Sequence, residues 1–291
     1  GTVTAKTYQF DNWRVYAQLY NVFMLLWTLG FIHAIGFLVI ALCAVFWYWS
    51  APGDDKQTEH GVADAVKITL RNHLGSLAVG SFIVAVIQIV RLTLHLFENR
   101  IRKTAGNVEA VKFLLRCAQC CLAYFERFVR FINANAYIVT AMTGEPFLDA
   151  ARHAFSLIVS NALSVGAVTI VGEYVMFIGK LLITFFTTAI AYLICTGTAA
   201  GKEATGDSRA GFFFVMIAVM VTSYFIACIF INVFGVCIDS VLLSYCYDLE
   251  QHNGQEKPYY FPSDLAKHVD GATERMAAKQ QQNQQQARDV E

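Results

Sequence analysis

Charge is what this chain has least of. Only 15% of its 291 residues are Asp, Glu, Lys or Arg, where an ordinary soluble domain carries about 25%. Lys and Arg number 22, as do Asp and Glu, so the formal net charge is zero and there is no basic surplus with which to hold a nucleic acid. The sequence also has no phosphate-cradling glycine loop, no nucleophile motif and no metal-ligand spacing. It therefore implies no cofactor and gives enzymatic chemistry no footing. Asp149 and His153 share a helix face at four-residue spacing, but two residues do not make a site. No disulfide framework is legible either. The eight cysteines lie mostly within or beside apolar segments and read as small hydrophobes. Cys117, Cys120 and Cys121 cluster without a fourth zinc ligand nearby and suit reversible acylation beside a membrane.

Apolar length is what the chain does have: 56% of its residues are hydrophobic and 14% aromatic. The stretch from His153 to Cys195 is apolar far beyond the roughly 20 residues that cross a bilayer. It nevertheless carries Asn161, Glu173 and Lys180, with glycines at Gly166, Gly172 and Gly179. Each of those polar groups is costly in hydrocarbon unless it faces a bundle interior or a water-filled cavity. Two readings stand. In one, two helical segments meet near Gly172, interrupted as in transporters that line a substrate site with broken helices. In the other, an interfacial helix precedes a single ordinary span, with Glu173 at the water boundary.

Taken in order, a polar lead-in covers 1–19, and Gly1 to Trp13 lacks a start methionine. The chain thus reads as a processed product or as a piece of something longer. A first span covers 20–49, with Trp13, Tyr16 and Tyr20 at one end and Trp47, Tyr48 and Trp49 at the other, as in interfacial aromatic belts. His33 inside it reads as a packing group. After the polar linker at 51–61, Val66, Leu70 and Leu74 recur at helical spacing. A second span covers 74–97, where Gly75, Ala78, Gly80 and Ser81 would let another helix approach closely. Arg91 and His95 near its end read as snorkelling to the headgroups.

Basic residues outnumber acidic ones over 98–130, whereas the linker at 50–71 leans acidic. By the positive-inside rule the first lies in the cytosol and the second outside. Phe113 to Met142 reads as an interfacial helix feeding a partly embedded one. Gly144 and Pro146 end it, and the next helix begins near Phe147 with Asp149 in its first turn. The remaining spans are 130–171 (partly embedded), 173–195 and 212–245, so the transmembrane region covers 20–247. A polar tail at 248–291 closes on KQQQNQQQARDVE. The expected fold is all-α: a multi-pass transmembrane helical protein of about five spans plus interfacial helices.

Three patches carry a resemblance. They are HLGSLAVGSFI from His73 to Ile83; NANAYIVTAM from Asn133 to Met142, continuing through AFSLIVSNALSV to VGEYVMFIGK; and DLEQHNGQEKPYYFPSDL from Asp248 to Leu265. In that order and spacing they resemble the choline transporter-like family of multi-span solute carriers, over roughly Trp13 to Leu265. The resemblance implies a ten-span carrier of choline, in some members ethanolamine, with both termini in the cytosol. This sequence matches the C-terminal half or so. It departs from the pattern at Gly235, where members often carry an acidic residue four positions before the match to Asp239, and in the tail at His252, Asn253 and Gly254.

Choline is a quaternary ammonium with a hydroxyl, so its recognition relies on aromatic faces and a nearby negative charge. Trp27, Tyr137 and Tyr174 are the candidate aromatics, with Tyr224 behind them. Glu173 and Asp239 are the candidate charges, and Asn133, Asn135 and Asn161 the candidate partners for the hydroxyl. The same residues also read as ordinary helix packing or boundary groups. The expected function is alternating-access transport of choline or a related organic cation without ATP hydrolysis. The expected partners are a choline or ethanolamine-like substrate and membrane lipids. The expected location is the plasma membrane, with a mitochondrial membrane as the other choice. The alternative is a non-transporting structural or lipid-binding subunit of a larger membrane complex.

Overall fold

The computed structural model describes residues 12–50, 61–104, 109–197, 209–251 and 260. Apart from short turns the described chain is helical. The order is α1 (Asn12–Tyr48), α2 (Val62–Ile68), a π-helical turn (Thr69–His73), α3 (Leu74–Thr104), α4 (Glu109–Thr143), α5 (Phe147–Ser160), α6 (Ala162–Gly197) and α7 (Arg209–Gln251). Among the described residues, four helical runs are long and apolar enough to cross a membrane: Trp13–Tyr48, Val62–Leu96, Ala162–Gly197 and Gly211–Gln251. The linker residues 51–60, the loop at 198–208 and most of the polar tail lie outside the described residues.

The chain clusters into two compact units, residues 1–42 with 60–155 and residues 43–59 with 156–291. In the first, α3 packs against α4 and against α1. The small residues of α3 receive helices on two sides, as their spacing predicts. Ser81 lies 3.6 Å from where a Cβ on Gly30 of α1 would stand, while Gly80 lies under Asn133 and Tyr137 of α4 and Phe147 of α5. Trp27 is a pin between α1 and α3. Its Nε1 donates to the Ala78 carbonyl at 3.2 Å, and its ring stacks with Phe23 and meets Phe82 edge-on.

In the second unit α6 lies against α7 along a glycine seam. A Cβ at Gly172 would stand 3.8 Å from Ile238, one at Gly179 would stand 3.4 Å from Ile231, and one at Gly235 would stand 3.1 Å from the Met176 sulfur. On each helix the three seam positions fall four and three residues apart, so one face of each is engaged, and the missing side chains let the backbones approach. Of the two readings of this stretch, the interruption near Gly172 is not there. Helix α6 runs unbroken through it, because Gly172 is a packing notch and not a hinge. The break falls at Asn161, whose Nδ2 donates to the Leu157 carbonyl at 3.0 Å. The turn at Gly144 (φ 75°) and the helix start at Phe147 fall where the sequence puts them.

At the end of α1, Tyr48 is fully buried and donates its hydroxyl to Asp248 Oδ2 near the end of α7, at 2.9 Å. The same oxygen accepts from the Tyr260 backbone N–H at 3.0 Å, and the Trp49 and Tyr260 rings meet at a tilt of 54° with centroids 4.8 Å apart. The C-terminal ends of α1 and α7 therefore meet at one end of the second unit. An outside linker and a cytosolic tail are incompatible, so one of the two assignments falls. The charge argument weighed the linker against the 98–130 block alone.

Candidate functional site

The first unit holds a cavity of about 430 Å³ between α1, α3 and α4, within the range of small-molecule sites. Its polar wall is His33 from α1, Ser81 and Gln88 from α3, and Arg130, Asn133 and Tyr137 from α4. Phe37 adds an apolar face, its ring 6.1 Å from that of Tyr137, which in turn lies 5.9 Å from Phe147. Tyr137 is 4% exposed and Asn133 8%. Asn133 Nδ2 donates to the Tyr137 hydroxyl at 3.3 Å, and that hydroxyl donates to the Leu77 carbonyl at 3.4 Å. Asn133 Oδ1 is buried without a hydrogen-bond partner among the described residues. A buried acceptor left unmatched costs about 1–3 kcal/mol, and this one lies against Gly80 of α3 at the cavity wall.

Beside this cavity sits a charged hub. Glu126, 7% exposed, accepts from Arg130 Nε at 3.1 Å and Nη2 at 2.8 Å, from Arg91 Nη1 at 2.8 Å and from Gln88 Nε2 at 3.4 Å. Burial, the largest single influence, pushes the Glu126 carboxyl up. The guanidinium hydrogen bonds and charges of Arg130 and Arg91 together outweigh it and hold the group below the usual carboxylate range. Glu126 is thus an anion shared between two cations.

The other expected site residues are placed differently. Trp27 is engaged in helix packing, and Asn135 Nδ2 donates to the Phe131 carbonyl of its own helix at 2.8 Å. Asn161, Glu173, Tyr174 and Asp239 belong to the second unit. There Glu173, Tyr174 and Asp239 are all exposed, and Glu173 and Asp239 are close enough to act on one another electrostatically. The second unit has a cavity of its own, about 690 Å³. It is almost wholly apolar, lined by Cys43, Trp47, Val168, Phe234, Cys237 and Leu242 among others, and it takes in none of those four residues. Of the expected set, the structure therefore joins only Asn133 with Tyr137, and Glu173 with Asp239. Sequence reasoning missed His33, which it took for packing, and the Gln88–Glu126–Arg130 group. The one signal for that group was Glu126 and Arg130 at i,i+4 spacing on a helix otherwise rich in apolar residues.

The sequence model of the plasma-membrane choline transporter family matches residues 1–250. The chain belongs to that family. Choline transporter-like protein 2 of Salmo salar is 34% identical over 251 residues, covering 86% of this chain and 35% of that protein. The protein of the same name from Cavia porcellus gives the same identity and the same coverage. That from Danio rerio is 33% identical over 257 residues, covering 88% of this chain and 37% of its own. The chain spans about a third of the length of the curated relatives it matches. The choline transporter family is a family of transporters and not of enzymes. Gly235 sits against the Met176 sulfur, so a carboxylate there would face a thioether.

Proposed function

We propose that this chain forms part of a plasma-membrane carrier for choline or a related organic cation, working by alternating access without ATP hydrolysis, and that the cavity of the first unit receives the substrate. The unmatched Asn133 acceptor carries this reading. The choline hydroxyl, or an ethanolamine N–H, supplies the missing donor, while Phe37 and Tyr137 offer aromatic faces to the cationic head. Trp27 and Asn135 support the helices that frame the cavity. Within the second unit, Glu173 and Asp239 are a separate source of negative charge, with Tyr174 next to Glu173 on α6 and Asn161 just before that helix. The tail from 248 onward lies in the cytosol, as the resemblance implies. The C-terminal end of α1, which meets α7 there, then faces the cytosol too, and the far end of α3 faces outside.

The test is uptake of labelled choline by cells that lack their own choline carriers and express the full-length protein. Saturable uptake is expected, with Asn133→Leu raising KM about five- to tenfold through loss of one hydrogen bond. Absence of saturable uptake of both choline and ethanolamine, from protein shown to be correctly inserted, would sink the reading. One observation favours a different role. The apolar cavity of the second unit suits a lipid tail, as in a structural or lipid-binding subunit of a larger membrane complex. Failed uptake together with copurifying lipid would support that role.

A further inference from the structure

The first unit contains a second cavity, about 570 Å³, in line with the first. It is lined by Val22 and Leu26 of α1, by Gln88, Arg91 and His95 of α3, and by Glu126 of α4, among others. All three helices agree on the order. On α1 the outer cavity begins at Val22 and the inner one ends at Phe37. On α3 the outer runs on to His95 while the inner begins at Ser81. On α4 the outer takes Glu126 and the inner Arg130, Asn133 and Tyr137. Two residues, Leu26 and Gln88, line both. From Val22 to Phe37 the two together follow about 22 Å of helix.

The wall between them is the charged hub. Arg130 faces the inner cavity, Arg91 the outer one, and Glu126 holds both, with Gln88 bonded to it across the shared edge. We propose that the Gln88–Glu126–Arg130–Arg91 cluster is a gate between an outer vestibule on the α3–α4 turn side and an inner substrate cavity. Two properties suit it to that work. Its side chains meet from two helices, so sliding α3 against α4 breaks the contacts as a set. Its charged groups are bonded into one set between the two cavities, so passage of an organic cation requires the cluster to rearrange. The inference rests on the alternating-access reading above, but not on choline being the substrate.

Cysteine accessibility tests it in the full-length protein in membranes, with native cysteines replaced by serine. Ala134→Cys reports on the inner cavity and Leu92→Cys on the outer. A membrane-impermeant thiol reagent is applied from the face carrying the α3–α4 turn. With the cluster intact, Leu92→Cys is expected to label fast and Ala134→Cys slowly. Adding Glu126→Gln is expected to speed labelling at Ala134→Cys by about tenfold or more, the scale of losing a charge-assisted hydrogen bond, while Leu92→Cys is unchanged. Gln88→Ala leaves every charge paired and gives a smaller rise in the same direction, which keeps the test open should Glu126→Gln insert poorly. Equal labelling of the two positions with the cluster intact, or no change at Ala134→Cys in either variant, would overturn the gate. Choline uptake is scored separately. Gated labelling without uptake removes the substrate and keeps the gate; uptake with ungated labelling does the reverse.

Discussion

The two units solve the same problem, holding helices together where burial of apolar surface drives nothing, by opposite means. The first uses side chains: the Trp27 indole on the Ala78 carbonyl, the Tyr137–Asn133–Leu77 chain, and Glu126 between two arginines. The second removes side chains, placing Gly172, Gly179 and Gly235 where α6 meets α7. Polar bonds between helices have partners that can be exchanged, so they suit surfaces that slide. Interlocked backbones have a single fit. The cavity with polar walls accordingly lies in the first unit, and the apolar one in the second.

Substitutions can break that contrast. The largest effect is expected at Gly80→Ala. A Cβ there would lie inside contact range of Asn133 and the Tyr137 hydroxyl and 2.8 Å from Phe147, so three helices must shift. Overpacking of this kind costs about 1–3 kcal/mol or more, and a marked drop in thermal stability in detergent, with loss of uptake, is the expected result. Unchanged melting would show that the first unit is looser than its contacts imply. Next comes Asp248→Leu, which leaves the buried Tyr48 hydroxyl and the Tyr260 N–H without their shared acceptor. Destabilisation of about 1–3 kcal/mol follows, read as a lower melting temperature, and Tyr48→Phe in the same background should recover part of it. The smallest effect is expected at Gly235→Ala. Its new methyl meets the Met176 sulfur at 3.1 Å, and a methionine side chain is adaptable. A change of under about 1 kcal/mol is expected; a loss as large as that at Gly80 would mean that the α6–α7 seam is the more rigid of the two.

Much of this was legible beforehand, and the reasons differ by element. Apolar length gave α1, α3, α6 and α7, because the bilayer demands it. Gly144 and Pro146 gave the turn before α5, because a helix cannot run through them in that order. The small residues of α3 correctly announced close approach. Gly172 left two readings open because a glycine in an apolar helix signals a hinge or a notch equally well, and only a partner such as Ile238 decides. The site was harder still. Asn133 and Tyr137 are one helical turn apart and could be paired from spacing alone. Gln88, Arg91 and Glu126 come together only through the α3–α4 pairing, 35 or more residues apart in the chain. That the ends of α1 and α7 meet was likewise out of reach of local pattern, because Tyr48 and Asp248 are 200 residues apart.

That same separation has a consequence for biosynthesis. Tyr48 emerges from the ribosome 200 residues before Asp248. The end of α1 must therefore sit in the membrane through the insertion of every intervening helix with its hydroxyl answered by something provisional. Only when α7 is nearly complete does the carboxylate arrive, and the Tyr260 backbone follows twelve residues later. The second unit is thus closed from its last-made end. A chain halted before residue 248 would present α1 and α6 to the quality-control machinery as helices still waiting for their partner.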